Sequence, residues 1–367
     1  MLRIGIDGRS FDSPAPGIRR YVASLTRALL DLREPLEIVA LGGRDSSAIP
    51  SGIGRVAEPP HPPTNAGWIL VGLPRAARRA GVDVIHAPAY TAPFFSPVPV
   101  VLTIHDVSYE RHPEWYPYRR DWMRRAFYRR SARSASHILT VSEFSASEIR
   151  ATYRIPRERV TVAPLGVDPA FAPQESALPG DLPMPVSEPY LLHVGDIHIR
   201  RNLGVVVDAL AEARRQFGVP PALSLVLVGT DRGAWDGLRA RAQEVDAADA
   251  IIHLERVSEE QLRTLYRCAA AFVYPSRYEG FGLPLVEAMA SGSPVLAANA
   301  ASIPEVVGDG GLLLDPLDRA AWTRAIIDVV NNQQRRVQLR QAGVRRALDF
   351  TWARTARLTL DVYRRVA

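Results

Sequence analysis

The feature that most constrains this chain is an alternation of short apolar runs with helix-patterned stretches, and it occurs twice. In the first half, strands are predicted at Leu2–Ile6, Leu36–Leu41, Val82–His86, Val100–Thr103 and His137–Val141, with a helix from about Ile18 to Leu30. A proline-rich stretch with little periodicity follows. The alternation then restarts at Tyr190–Val194, with a helix near Leu203–Phe217 and strands at Ser224–Val228 and Ile251–Leu254. Further strands are predicted at Ala271–Val273, Pro294–Ala297 and Gly311–Leu314. Strand–helix alternation of this kind argues for parallel sheets with helices on both faces. At 367 residues the chain is also too long for one ordinary core. The expected fold class is α/β, with two doubly wound parallel-sheet domains over residues 1–170 and 190–350. A linker is expected over residues 171–189, and a last helix over Trp352–Val366.

The most informative local stretch runs from Tyr274 to Gly292. It sets two carboxylates, Glu279 and Glu287, on either side of a glycine-rich turn inside an apolar run. An ionised carboxylate among Val286, Ala288 and Met289 is costly unless something pairs with it or hydrogen-bonds to it. Phe272 and Val273 read as a buried strand, and Pro284 suits the first turn of a helix. Glu279 is therefore expected at the carboxyl end of a strand, and Glu287 about one turn into the next helix. In an open α/β sheet, ligands bind at that end. A loop glutamate and a solvated helical glutamate would be the plain alternative. That alternative leaves Gly280 and Gly282 unexplained, since glycines there suit close approach of backbone to a ligand.

Glu-(seven residues)-Glu enclosing Gly280-Phe281-Gly282-Leu283-Pro284 resembles the signature of retaining glycosyltransferases of family 4, which have the GT-B fold. Gly5-Ile6-Asp7-Gly8-Arg9 and Gly17-Ile18-Arg19-Arg20-Tyr21 are similar to that family's first strand and helix. Thr103-Ile104-His105-Asp106, Thr140-Val141-Ser142-Glu143-Phe144 and Pro164-Leu165-Gly166-Val167-Asp168 follow in the family's order. Val194-Gly195, Arg200-Arg201-Asn202-Leu203 and Ser302 to Asp309 complete a likeness that covers nearly the whole chain. The resemblance implies two Rossmann-like domains facing a cleft, with the last helix, residues 351–367, returning to the first, acceptor-side domain. It implies donor contacts from Glu287 (to the ribose hydroxyls), Gly195, and the backbone from Gly280 through Phe281 and Gly282 to Leu283. Catalytic roles fall by the same resemblance to Arg200 and Arg201 at the diphosphate, and to Glu279 and His105 at the transferred sugar. For His105 a core histidine bonded to Asp106 is the plain alternative. Gly17 is expected to open a loop for the diphosphate or acceptor. There Arg19 stands where the family usually has a second glycine, and it either narrows the loop or adds a phosphate contact.

The chain carries a net charge of +6 and contains no lysine. A lysine Schiff base is thus excluded, and pyridoxal-phosphate chemistry with it. Arg201 stands where the family usually has lysine, and its planar fork suits phosphate. No Asp-x-Asp pair occurs, so an enzyme without a metal or other cofactor is expected. The single cysteine, Cys268, rules out an internal disulfide. Leu2 to Ile6 begin a strand pattern with no signal core before it, and no apolar run approaches the ~20 residues that span a bilayer. A cytoplasmic protein is expected.

Arg119, Arg120, Arg124, Arg125, Arg129, Arg130 and Arg133 interleave with Trp122, Phe127 and Tyr128. Pairs five residues apart rotate by ~140° per repeat on a helix and do not form one face. Peripheral contact with the inner face of a membrane stays open, and nucleic-acid binding is not supported by any recognition motif. The expected activity is retaining transfer of a hexose, best matched by mannose from GDP-mannose, to a saccharide or lipid-linked glycan in surface polysaccharide synthesis. A UDP- or dTDP-sugar, GDP-rhamnose, or a nucleotide-sugar epimerase activity are the alternatives.

Overall fold

A computed structural model of the chain describes residues 1–43, 49–117, 120–174, 182–183, 185–216 and 218–367. Arg119, Phe217 and much of the proline-rich stretch lie outside the described residues. The chain divides into two compact units, Met1–Gly166 with Thr351–Ala367, and Val167–Phe350.

The first unit is built on a seven-stranded parallel sheet. Its strands are β1 (Leu2–Asp7), β2 (Leu36–Leu41), β3 (Gly54–Val56), β4 (Val84–Ala87), β5 (Val100–Thr103), β6 (His137–Thr140) and β7 (Val160–Val162). Their order across the sheet is β3-β2-β1-β4-β5-β6-β7. Chain order therefore reverses between β1 and β4. Nearly every residue of β1, β4, β5 and β6 is buried, which is why these strands read as unbroken apolar runs and not as alternating ones. The two strands that the sequence pattern missed, β3 and β7, are three-residue edge strands with no fully buried position.

The last helix, Trp352–Val366, belongs to this first unit. Its Tyr363 hydroxyl meets His86 Nδ1 at 2.6 Å, and His86 Nε2 meets Thr103 Oγ1 at 2.8 Å. Both ring nitrogens of His86 are thus satisfied inside the core, and burial pushes its pKa down to about 3. At the end of β1, the Trp68 indole donates to Asp7 at 3.0 Å, and burial raises the Asp7 carboxyl to about 6.

The second unit has a six-stranded parallel sheet: β8 (Tyr190–Val194), β9 (Ser224–Val228), β10 (Ile251–Leu254), β11 (Ala271–Tyr274), β12 (Val295–Ala298) and β13 (Leu312–Leu314). The order is β10-β9-β8-β11-β12-β13, so here the reversal falls between β8 and β11. In a doubly wound sheet the connections leave a reversal point in opposite directions, and a crevice opens beyond the carboxyl ends of the two strands. Two loops border that point: Gly195–Leu203 after β8 and Pro275–Gly282 after β11.

Candidate active site

The Glu279 and Glu287 motif sits at the β8/β11 reversal point. β11 ends at Tyr274, the loop carries Glu279, and the helix Leu283–Ala290 follows with Pro284 in its first turn. Gly282 takes the left-handed region (φ +95°) as the N-cap, and no side chain caps the helix. Such an amino terminus leaves backbone N–H groups directed outward and favours negative charge.

Glu279 and Glu287 are both almost fully buried, at 5% and 2% exposure. Their partners differ. Glu279 Oε1 pairs with Arg201 Nη1, and its Oε2 lies 3.8 Å from Arg200 Nη1. Burial opposes ionisation of Glu279, but the Arg201 and then the Arg200 guanidinium, with the Ser276 hydroxyl, overcome it and hold the carboxyl below its ordinary range. Glu287 instead accepts from the Tyr266 hydroxyl at 3.0 Å.

Arg201 is itself 8% exposed, so the two arginines are not a solvated pair. Its Nη1 also donates to the Tyr274 hydroxyl at 2.5 Å and reaches Ser276 Oγ at 3.4 Å, and the guanidinium lies 5.3 Å from the Tyr274 ring centre. Its Nε is buried without a hydrogen-bond partner. Gly195, at φ +145°, lets this happen: a Cβ there would come within 3.2 Å of the guanidinium carbon. Gly195 therefore makes room for Arg201 at the end of β8.

The sequence pattern starts the helix after the arginines near Leu203, and it starts at Gly204. Arg200 and Arg201 lie on a short 3-10 turn, Ile199–Arg201, which ends in Asn202 at φ +54°. The Asn202 amide donates to Pro275 O at 3.2 Å and Pro316 O at 2.7 Å, and Arg277 N donates to Arg200 O at 2.9 Å. The two loops at the reversal point are thus bonded to each other through backbone as well as through the ion pair.

Several neighbours carry no sequence signal of their own. His193, on β8, is fully buried, donates through Nδ1 to Val273 O at 3.0 Å, and stacks on Tyr274 with centroids 5.5 Å apart. Burial, helped by Arg201, pushes its pKa down to about 3, so it is neutral. Ser302 is fully buried and donates to Glu279 O at 2.9 Å, with Phe281 O at 3.3 Å, which pins the glycine turn. Phe281 turns its ring toward Phe350, 5.6 Å away. Gly280 is buried and Leu283 opens the helix.

In the first unit, His105 follows β5. Its Nε2 donates to Pro88 O at 3.2 Å, and Tyr21 meets its ring edge-on at 4.8 Å. Burial lowers its pKa against the opposing pull of Asp106 and the Pro88 carbonyl. Asp106 itself accepts from the Ser108 N–H at 3.0 Å and hydroxyl at 2.8 Å. Gly17 differs from expectation. The first helix runs over Pro16–Asp31, so Gly17 is its second residue and not part of a loop. Pro16 explains the early start, since its fixed φ suits the first helical position. A Cβ on Gly17 would meet nothing within 4 Å. Arg19 turns back to donate to Ser13 O in the preceding segment.

The arrangement in the second unit is a cationic edge with one unengaged guanidinium N–H, next to a buried carboxylate on a helix whose amino terminus is uncapped. It is suited to an anionic ligand that also carries hydroxyls. Among the described residues no group of three or more His, Cys, Asp or Glu side chains is placed to hold a metal ion.

Comparison with known proteins agrees over nearly the full length. Residues 16–171 match the family described as Glycosyltransferase Family 4, and residues 175–346 match Glycosyl transferases group 1. The O-antigen chain mannosyltransferase B of Escherichia coli is 34% identical over 269 residues, covering 72% of this chain and 70% of that protein. The MMP alpha-(1->4)-mannosyltransferase of Mycolicibacterium hassiacum is 30% identical over 309 residues, 78% of this chain and 72% of that one. Among solved structures, the sucrose-phosphate synthase of Thermosynechococcus elongatus superposes with a TM-score of 0.79 at 21% identity, covering 100% of this chain and 99% of that chain. Anabaena HepE in complex with UDP and glucose gives 0.74 at 18% identity, with 100% of both chains covered. The chain belongs to glycosyltransferase family 4 and is a glycosyltransferase enzyme with the GT-B fold.

Proposed function

We propose that this glycosyltransferase moves mannose from GDP-mannose to a saccharide or lipid-linked glycan of a surface polysaccharide, with retention and without a metal ion. The observation that carries the reading is Arg201: a buried guanidinium anchored by Glu279, Tyr274 and Ser276, with an Nε–H left unengaged beside Gly195. A diphosphate leaving group gathers negative charge as its bond to the sugar breaks, and stabilising that charge is the largest catalytic task in such a transfer. Arg200 and Arg201 are already fixed for it, without reorganisation. Mannose as the sugar is supported by the names of the two relatives, both mannosyltransferases. The setting is supported by one of them acting on an O-antigen chain.

In this reading the acceptor oxygen attacks the anomeric carbon on the face that the diphosphate leaves. The bonding pair departs with the diphosphate, and the departing phosphate oxygen takes the acceptor proton, so no protein base is required. Glu287 receives the ribose hydroxyls. The backbone from Gly280 to Leu283 and the His105 ring serve the sugar, and Glu279 acts by holding both arginines in place. Peripheral membrane contact belongs to the same proposal. Among the described residues no helix is long and apolar enough to cross a membrane. Yet Trp122 and Met123 are 73% and 65% exposed at the start of the arginine-rich helix Trp122–Ser134, and Phe95 is 82% exposed. Phe94, next to it, packs on Phe127 of that helix at 5.0 Å. Aromatic and basic side chains exposed together suit an anionic lipid surface.

A thermal-shift panel of GDP, UDP, dTDP, ADP and GDP-mannose tests the donor. GDP and GDP-mannose should raise the melting temperature in wild type and fail to do so in Glu287→Ala, while a shift with UDP alone would overturn the guanine assignment. Arg201→Ala should lower kcat by about 10²-fold or more, with Arg201→Lys retaining clearly more activity; equal loss in both would count against charge stabilisation. Turnover should survive excess EDTA, and its abolition would end the metal-free proposal. Co-sedimentation with phosphatidylglycerol vesicles should fall several-fold in the Trp122→Ala/Met123→Ala double variant; unchanged binding would remove this helix from the membrane reading.

A further inference from the structure

Helix Glu259–Cys268 carries a residue that the chemistry above does not use, yet which touches its key carboxylate. Tyr266 is fully buried, and its hydroxyl donates to Glu287 Oε2 at 3.0 Å. Its ring is held on two sides, edge-on to Phe171 at 5.8 Å and tilted against Phe272 at 5.5 Å. Its backbone carbonyl accepts from the fully buried Ser293 hydroxyl. The helix that bears it opens with a reciprocal capping box between Ser258 and Gln261. A tyrosine so fixed is a rigid donor with only its two side-chain torsions to set, and here both are set by packing.

We infer that Tyr266 is a positioning residue for nucleotide recognition: it fixes the rotation of the Glu287 carboxylate so that it meets the ribose hydroxyls of a nucleoside diphosphate. This rests on the ribose role proposed above for Glu287. A glutamate has three side-chain torsions, and an unheld carboxylate spreads over many orientations. A hydrogen bond to one oxygen fixes the carboxylate plane and so the direction in which its remaining lone pairs point. The choice of donor matters as well. Glu279 is paired with guanidinium groups, which neutralise it. The Tyr266 phenol is a neutral donor, so its bond to Glu287 sets a direction and brings no charge of its own.

The test measures the affinity of the full-length enzyme for GDP and for 2′,3′-dideoxy-GDP by calorimetry, repeated with UDP and its dideoxy analogue. Wild type should favour the ribonucleotide by about tenfold or more, the value of a hydrogen bond to a charged group. Tyr266→Phe, which removes only the hydroxyl, should cut that preference by roughly threefold to tenfold and leave affinity for the dideoxy analogue unchanged. A general loosening of the fold would instead weaken both nucleotides together. In a Glu287→Ala background, Tyr266→Phe should change nothing further. If wild type discriminates and Tyr266→Phe discriminates equally, Tyr266 has no positioning role and the ribose role of Glu287 stands. If wild type itself does not discriminate with either base, the ribose role fails and this inference with it.

Discussion

The second unit is organised around one buried ion pair, Arg201 with Glu279, set where strand order reverses between β8 and β11. Neither charge is tolerable there alone, because removing one member of a buried pair typically costs about 3–5 kcal/mol. The surroundings are built to meet that demand. Tyr274 and Ser276 accept from the same guanidinium nitrogen, the Tyr274 ring lies under it, and Gly195 withholds a side chain that would collide with it. Because Arg201 comes from the loop after β8 and Glu279 from the loop after β11, the pair also sets the distance between those loops. Backbone bonds from Arg277 and Asn202 hold the same spacing.

The two glutamates look equivalent, one on either side of a glycine turn and both buried. Their partners make them chemically different. Glu279 is a counter-ion whose charge is spent on arginine, and that fits holding a cationic edge in place. Glu287 accepts from the neutral phenol of Tyr266. A motif read as a pair of site carboxylates thus sets one glutamate on arginine and the other on tyrosine, a division no spacing rule contains.

Most of the fold was legible because both sheets are parallel and covered on both faces, so their inner strands are continuous apolar runs. The strands missed, Gly54–Val56 and Val160–Val162, are short edge strands with little burial to mark them. The two glutamates stood out because charge in an apolar run is anomalous, and the arginine pair through the likeness to family 4. Gly17 was misplaced for a local reason: glycine suggests a loop, but Pro16 starts the helix one residue before it. Tyr266, His193 and Ser302 left no trace in the pattern. A tyrosine on an amphipathic helix, a histidine in a strand and a serine ahead of a helix each have an ordinary explanation. Only the distances to Glu287, Val273 O and Glu279 O give them a role.

The absence of lysine bears on how the site works. An ammonium is a single compact charge, and one buried against Glu279 would direct its donors at that carboxylate and the oxygens around it. It would also be the group whose protonation burial weakens most. Arginine divides the two tasks within one side chain. Nη1 faces Glu279, Tyr274 and Ser276, while Nε on the same rigid plane stays unengaged beside Gly195. The guanidinium therefore serves as the internal counter-ion of the sheet's reversal point and still carries a buried N–H without a partner.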